Sequence, residues 1–98
     1  MIAMPSPKWL DALCRRWKIR SLHLIGSVAR GEAPPDSDVD LLVKYRSDAR
    51  WTLFDTVRLR AELADLFGRP VDLLRERNIV NPQRLESILR DKRPIYST

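Results

Sequence analysis

The sequence predicts an α/β domain in which helices and short strands alternate. Two observations carry this. Apolar rows at helical spacing open at Ser6-Pro7 and at Asn81-Pro82, each a capping side chain before a proline, and a third stops at Gly68. Between them lie short apolar segments bounded by Gly26 or Pro70, which suit strands. No internal repeat, low-complexity tract or linker breaks the order.

In the first helix Leu10, Leu13, Cys14 and Trp17 recur on one face, so it runs from Ser6-Pro7 to about Trp17. Residues 21–25, with Leu22, Leu24 and Ile25, form the first strand and end at Gly26. Residues 27–32 have room for one or two helical turns. Pro34-Pro35-Asp36 then enforces a loop. Val39, Leu41, Leu42 and Val43 mark the second strand, and residues 45–50 a polar connector. Residues 52–67 give the best helix. Phe54, Val57, Ala61 and Ala64 read as its apolar row, widened by Leu59, Leu63 and Leu66, with Asp55, Arg58, Glu62 and Asp65 opposite. Residues 71–74 form a third strand. A last helix reaches about Asp91, and Pro94-Ile95-Tyr96 reads as a short extended tail.

The chain has 98 residues, so one domain spanning residues 1–98 is expected. A hydrophobic fraction of 44% excludes general disorder, and no apolar run approaches the ~20 residues of a membrane span. The first 18 residues, broken by Pro5, Pro7, Lys8 and Asp11, do not read as a signal peptide. One cysteine, Cys14, excludes an internal disulfide and a cysteine zinc cluster. A cytoplasmic protein is expected. The net charge of +5 suggests an anionic partner but equally suits plain solubility, because the cations form no tail or block.

The chemistry concentrates in Gly26-Ser27-Val28-Ala29-Arg30-Gly31 and Ser37-Asp38-Val39-Asp40. Gly26 and Ser27 fall where a strand becomes a helix. Backbone N–H groups there are unpaired, glycine admits a close-lying phosphate, and the serine hydroxyl adds a donor. Arg30, one turn on, is within reach of the same anion. Alone, this segment reads equally as a tight turn. Asp38 and Asp40 stand two apart on the second strand, hence on one face. Such a pair between apolar neighbours repels unless a cation compensates it, and oxygen-only ligands favour Mg²⁺ or Mn²⁺. Alone, the pair reads equally as a loop residue and a solvent-facing one. Asp72, amid Val71, Leu73 and Leu74, completes a set of three carboxylates if its strand lies alongside. Such a set can hold two divalent ions ~4 Å apart for in-line phosphoryl displacement.

In that combination the chain resembles the DNA polymerase β-like nucleotidyltransferase superfamily. In size and in its Gly-Ser-x-Ala-Arg-Gly…Ser-Asp-x-Asp-Leu-x-Val wording it resembles the minimal nucleotidyltransferases of the MNT or MntA-like group. The resemblance covers Ser21 to Leu74. It implies a small mixed sheet flanked by helices. It implies that Gly26, Ser27 and Arg30 bind the nucleotide, that Asp38 and Asp40 ligate two Mg²⁺ ions, and that Asp72 is third carboxylate and general base. It implies ATP as substrate, a HEPN-family RNase toxin as partner, and transfer of AMP to a toxin tyrosine. The complex is then expected to set the oligomeric state. Two alternatives remain: an antitoxin that works by docking alone with an idle nucleotide site, and a transferase acting on RNA. The intact aspartate set favours the enzyme over the first, and the lack of a tRNA-binding domain weighs against the second.

Elsewhere, His23 reads as a sheet-face residue, Trp17 as part of the first helix's core stripe, and Trp9 and Trp51 as packing or partner surface rather than base-stacking platforms. Arg75, Arg77, Arg84, Arg90 and Arg93 read as solvated, with an acidic partner or phosphates as the other use.

Overall fold

The computed structural model describes residues 3–98. Along the chain it runs α1 (Pro7–Arg16), β1 (Ile19–Ile25), α2 (Gly26–Ala29), β2 (Val39–Tyr45), α3 (Leu53–Phe67), β3 (Val71–Leu74), a 3-10 turn (Glu76–Asn78), α4 (Pro82–Asp91) and β4 (Arg93–Ser97). The predicted alternation holds. The short tail, however, is a full edge strand, and the 3-10 turn has no counterpart in the sequence reading.

The four strands form one mixed sheet in the order β3-β2-β1-β4. β1 runs antiparallel to both neighbours, while β2 and β3 are parallel, joined through α3. Proline is tolerated in β4 because this strand is an edge, and the β1–β4 register shifts just where Pro94 pairs with His23. One face of the sheet carries the main core. Leu10, Leu13 and Cys14 of α1, Trp17 at its C-cap, and Leu59, Leu63 and Phe67 of α3 pack on Leu22, Leu41, Val43 and Val71. On the other face only part of the sheet is covered, by Ile88 of α4 and by Ile79 just after the 3-10 turn, over Ile25 and Leu42.

α3 turns differently from the sequence reading. Its buried row is Leu59, Leu63 and Phe67, while Leu53, Phe54 and Val57 are exposed, Phe54 by 83%. Apolar residues wrap more than half of this helix, and the sheet can cover only one side. Glu62, read as facing solvent, instead accepts from Arg16 Nη2 at 2.6 Å and Trp17 Nε1 at 3.1 Å, pinning α3 to α1. The start of the helix is fixed by a capping box. Asp55 N–H donates to Thr52 Oγ1, and Thr52 N–H donates back to Asp55 Oδ2. Trp51 Nε1 donates to the Trp17 carbonyl, and the two rings meet edge-on 4.9 Å apart. Both are packing residues.

Candidate functional site

The site forms where β1 ends and β2 begins. Gly26 takes φ +70°, a conformation L side chains adopt only with strain, and turns the chain sharply into the single turn of α2. A Cβ there would meet Asp40 Oδ2 at 3.1 Å, so the glycine also lets the turn press against the carboxylate. Ser27 follows, half-buried, at the start of this turn. The turn's first N–H groups have no intrahelical acceptor.

The sheet register sets the acids. Asp40 of β2 pairs with Asp72 of β3 across parallel strands, so their side chains share a face. The approach is held by Val39 N–H donating to the Pro70 carbonyl at 2.9 Å. Asp38 is not within the strand as expected; it precedes β2 by one residue and is exposed. The loop that delivers it is tied down by Arg69, whose Nη2 donates to the Pro34 carbonyl and to Ser37 Oγ.

Asp40 is the electrostatic centre. Burial first, and then the negative charges of Asp72 and Asp38, push its carboxyl above the usual range, while Arg84 pulls the other way. Asp40 therefore feels both of the other acids. Among the described residues, though, no three acidic, histidine or cysteine side chains converge tightly enough to form a ready-made metal cage. Asp72 is drawn toward α3, where its Oδ1 lies 3.5 Å from Arg60 Nη1. The donor set still fits a hard divalent cation. It is all carboxylate oxygen, and a cation beside Asp40 would favour the ionised carboxylate that burial and the neighbouring acids disfavour.

Beside Asp40 opens a cleft of about 170 Å³, walled by Gly26, Arg30, Asp40, Arg84, Ser87 and Asp91. The structure thus joins Gly26, Arg30 and Asp40, while Ser27, Asp38 and Asp72 stand outside its lining. Arg30 is already engaged: its Nε donates to Glu32 Oε1 at 2.6 Å, and its Nη1 lies 3.8 Å from Asp91 Oδ2. The sequence reading missed Arg84 and Ser87, because nothing in a helical apolar period says which turn of α4 will face α2.

A family model described as "nucleotidyltransferase domain" matches residues 7–96. The chain belongs to that family. This nucleotidyltransferase is 35% identical over 79 residues to a Methanocaldococcus jannaschii chain assigned as a protein adenylyltransferase, covering 81% of itself and 79% of that chain. It is also similar to a solved structure assigned as a minimal nucleotidyltransferase. That match has TM-score 0.72 and 39% identity, and covers 91% of this chain and 88% of the other. A more distant likeness, at 18% identity and TM-score 0.63 over 94% of this chain and 70% of the other, is to a Shewanella oneidensis structure of an MNT antitoxin with a tri-AMPylated HEPN toxin. That last likeness concerns the fold alone. The small mixed sheet with flanking helices is the polymerase β-like nucleotidyltransferase fold.

Proposed function

We propose that this nucleotidyltransferase moves AMP from ATP to a tyrosine of a HEPN-type RNase toxin, and so acts as its antitoxin, with residues 1–98 working as one domain. One observation carries the reading. Asp40 stands opposite Asp72 across parallel strands, at the wall of a cleft closed by the Gly26 turn. Support for the adenylyl group and the partner comes from the adenylyltransferase assignment of the M. jannaschii relative and from the S. oneidensis complex.

In this reading Asp38, Asp40 and Asp72 hold two Mg²⁺ ions, with Mn²⁺ as substitute. The bound cations supply the positive charge that lets a hydroxyl ionise and a phosphate ester form at neutral pH. Gly26 brings backbone N–H groups, and Ser27 a hydroxyl, to the β- and γ-phosphates. Arg30 and Arg84 offset the phosphate charge from opposite walls of the cleft. Asp72, 63% exposed at its side chain, faces the solvent side from which an acceptor arrives and takes the hydroxyl proton. The acceptor oxygen bonds to the α-phosphorus, the bond to the β-phosphate oxygen breaks, and pyrophosphate leaves.

The test is incubation of the chain with a candidate HEPN partner, α-labelled ATP and Mg²⁺. Label on a partner tyrosine, lost in Asp38→Asn/Asp40→Asn, supports the reading. Neutralisation that survives the double substitution with no label transferred replaces it with docking alone. Label on added tRNA replaces it with RNA modification.

A further inference from the structure

Two cavities adjoin around Arg75 and Arg77, the first on the sheet face away from α1 and α3 and the second at the end of β2 beside Tyr45 and Trp51. One, about 400 Å³, is walled by Lys44, Arg75, Arg77 and Lys92 around Leu42. The other, about 390 Å³, shares Arg75 and Arg77 and adds Arg46 and Arg50. Together they line a continuous groove with six cations, against which stands one acid, Glu76. None of the six is in an ion pair among the described residues. By contrast Arg15, Arg16, Lys18, Arg30, Arg60 and Arg90 each have a carboxylate within reach.

Like charges gathered without counter-charges repel, and an anionic ligand relieves that repulsion. Two of the cations are also held in place before any ligand arrives. Arg50 Nη1 donates to the Ser47 and Ala49 carbonyls, and the Arg75 guanidinium lies 5.1 Å over the Tyr45 ring. Ordering them in advance lowers the entropic cost of binding.

We propose that this groove docks an acidic polypeptide segment of the protein acceptor. The proposal rests on the reading of the chain as a protein-modifying transferase and names the surface that selects its substrate. Two observations favour a peptide over a nucleic acid. The aromatic rings of the groove are already engaged, Tyr45 by the Arg75 guanidinium above it and Trp51 edge-on by Trp17, which competes with base stacking. In addition, Leu42 in the groove wall is two residues along β2 from Asp40, roughly 7 Å. A segment seated on the cations therefore lies on the same sheet face as Asp40, on the far side of the Ile79 and Ile88 side chains that cover Leu42.

Binding is measured by fluorescence anisotropy with a fluorescein-labelled oligoglutamate peptide, without ATP or any transfer step. A charge-neutral peptide and oligouridylate serve as comparisons. The oligoglutamate is expected to bind the chain better than either, and to weaken roughly tenfold for each cation reversed in Arg75→Glu/Arg77→Glu. Lys44→Glu/Arg46→Glu should act in the same direction, and Arg15→Glu on the opposite face should not. Thermal melts confirm that each variant is folded. Saturating Mg·ATP should leave peptide binding intact.

Three results overturn the proposal: oligoglutamate binding equal to that of the neutral peptide, tighter binding of oligouridylate lost through the same variants, or displacement of the peptide by ATP. Because nothing is transferred, failure here is distinct from failure of the adenylyl-transfer reading. That reading falls only if label does not reach the partner.

Discussion

Replacing Gly26 by alanine tests the site at its tightest point. Two effects add there. At φ +70° an alanine incurs about 1–2 kcal/mol of left-handed strain. A less flexible unfolded chain returns about 0.4–1 kcal/mol of that. The backbone part is thus about 1 kcal/mol, a fall in Tm of roughly 4–8 °C in a domain of this size. The second effect is contact. The new Cβ would lie 3.1 Å from Asp40 Oδ2, so the carboxylate must retreat by a few tenths of an ångström. Since a misplacement of 1 Å can cost about a hundredfold in rate, the smaller shift should cost roughly tenfold. Gly31 is the internal control: its φ is +73°, and an added Cβ meets nothing within 4 Å. Gly31→Ala should therefore show the same fall in Tm with Mn·ATP affinity and transfer rate within about twofold of the parent. Differential scanning calorimetry reads the first quantity, and titration calorimetry with Mn·ATP together with label transfer reads the others. Equal loss of binding and transfer in the two variants would refute the placement of the Gly26 turn against Asp40.

Three further outcomes are expected. Leu63→Ala empties a fully buried position and should cost about 2–5 kcal/mol in urea unfolding, whereas Phe54→Ala on the exposed side of α3 should stay within about 0.5 kcal/mol; the reverse order would mean that α3 presents its other row to the sheet. Burial, helped by the charge of Asp11, pushes the Cys14 thiol up to about 12, so it should resist a thiol-specific disulfide reagent at pH 8 until denaturant is added, and prompt labelling of the folded chain would contradict the packing of α1. The hydrogen bond from Arg16 holds the Glu62 carboxyl below its usual range, so its stabilisation is present above the unfolded value of about 4.3 and fades as pH falls through the lower folded value; between about pH 5 and pH 3 the parent should therefore lose more stability than Glu62→Gln, and parallel curves would dismiss the Arg16–Glu62 tie.

These outcomes also mark how much was legible in the sequence. Asp40 and Asp72 were, because each sits in a short apolar strand whose period of two leaves one choice of face. Their exact opposition in the register was not, since it depends on α3 returning the chain parallel to β2. The orientation of α3 itself could not be read from its pattern, because Phe54 and Val57 are as apolar as Leu59 and Leu63. What decides is Glu62, whose partners Arg16 and Trp17 lie 46 and 45 residues away. Arg84 was hidden for a related reason: it reads as one more surface arginine until α4 packs Ile88 onto Ile25 and Leu42 and turns Arg84 toward Asp40. β4 was hidden by Pro94, which argues against a strand unless that strand is known to be an edge.

The same strand explains why a net charge of +5 said so little about partners. β2 carries Asp40 at one end of the sheet face that α4 partly covers and Lys44 at the other, with Leu42 buried between them. Burial, and then the charges of Asp72 and Asp38, raise Asp40, and the cations at its end are in no ion pair among the described residues. Neither cluster is neutralised from within the chain, and summing them cancels the information each holds. A cation satisfies the first and an anion the second. A nucleotide with its divalent ions brings mostly the former to the acids, which leaves the basic groove to be satisfied by something else. The strand's polarity therefore argues that the two ends of this face serve two different ligands, held about four residues apart along β2 and so near enough for one to be joined to the other.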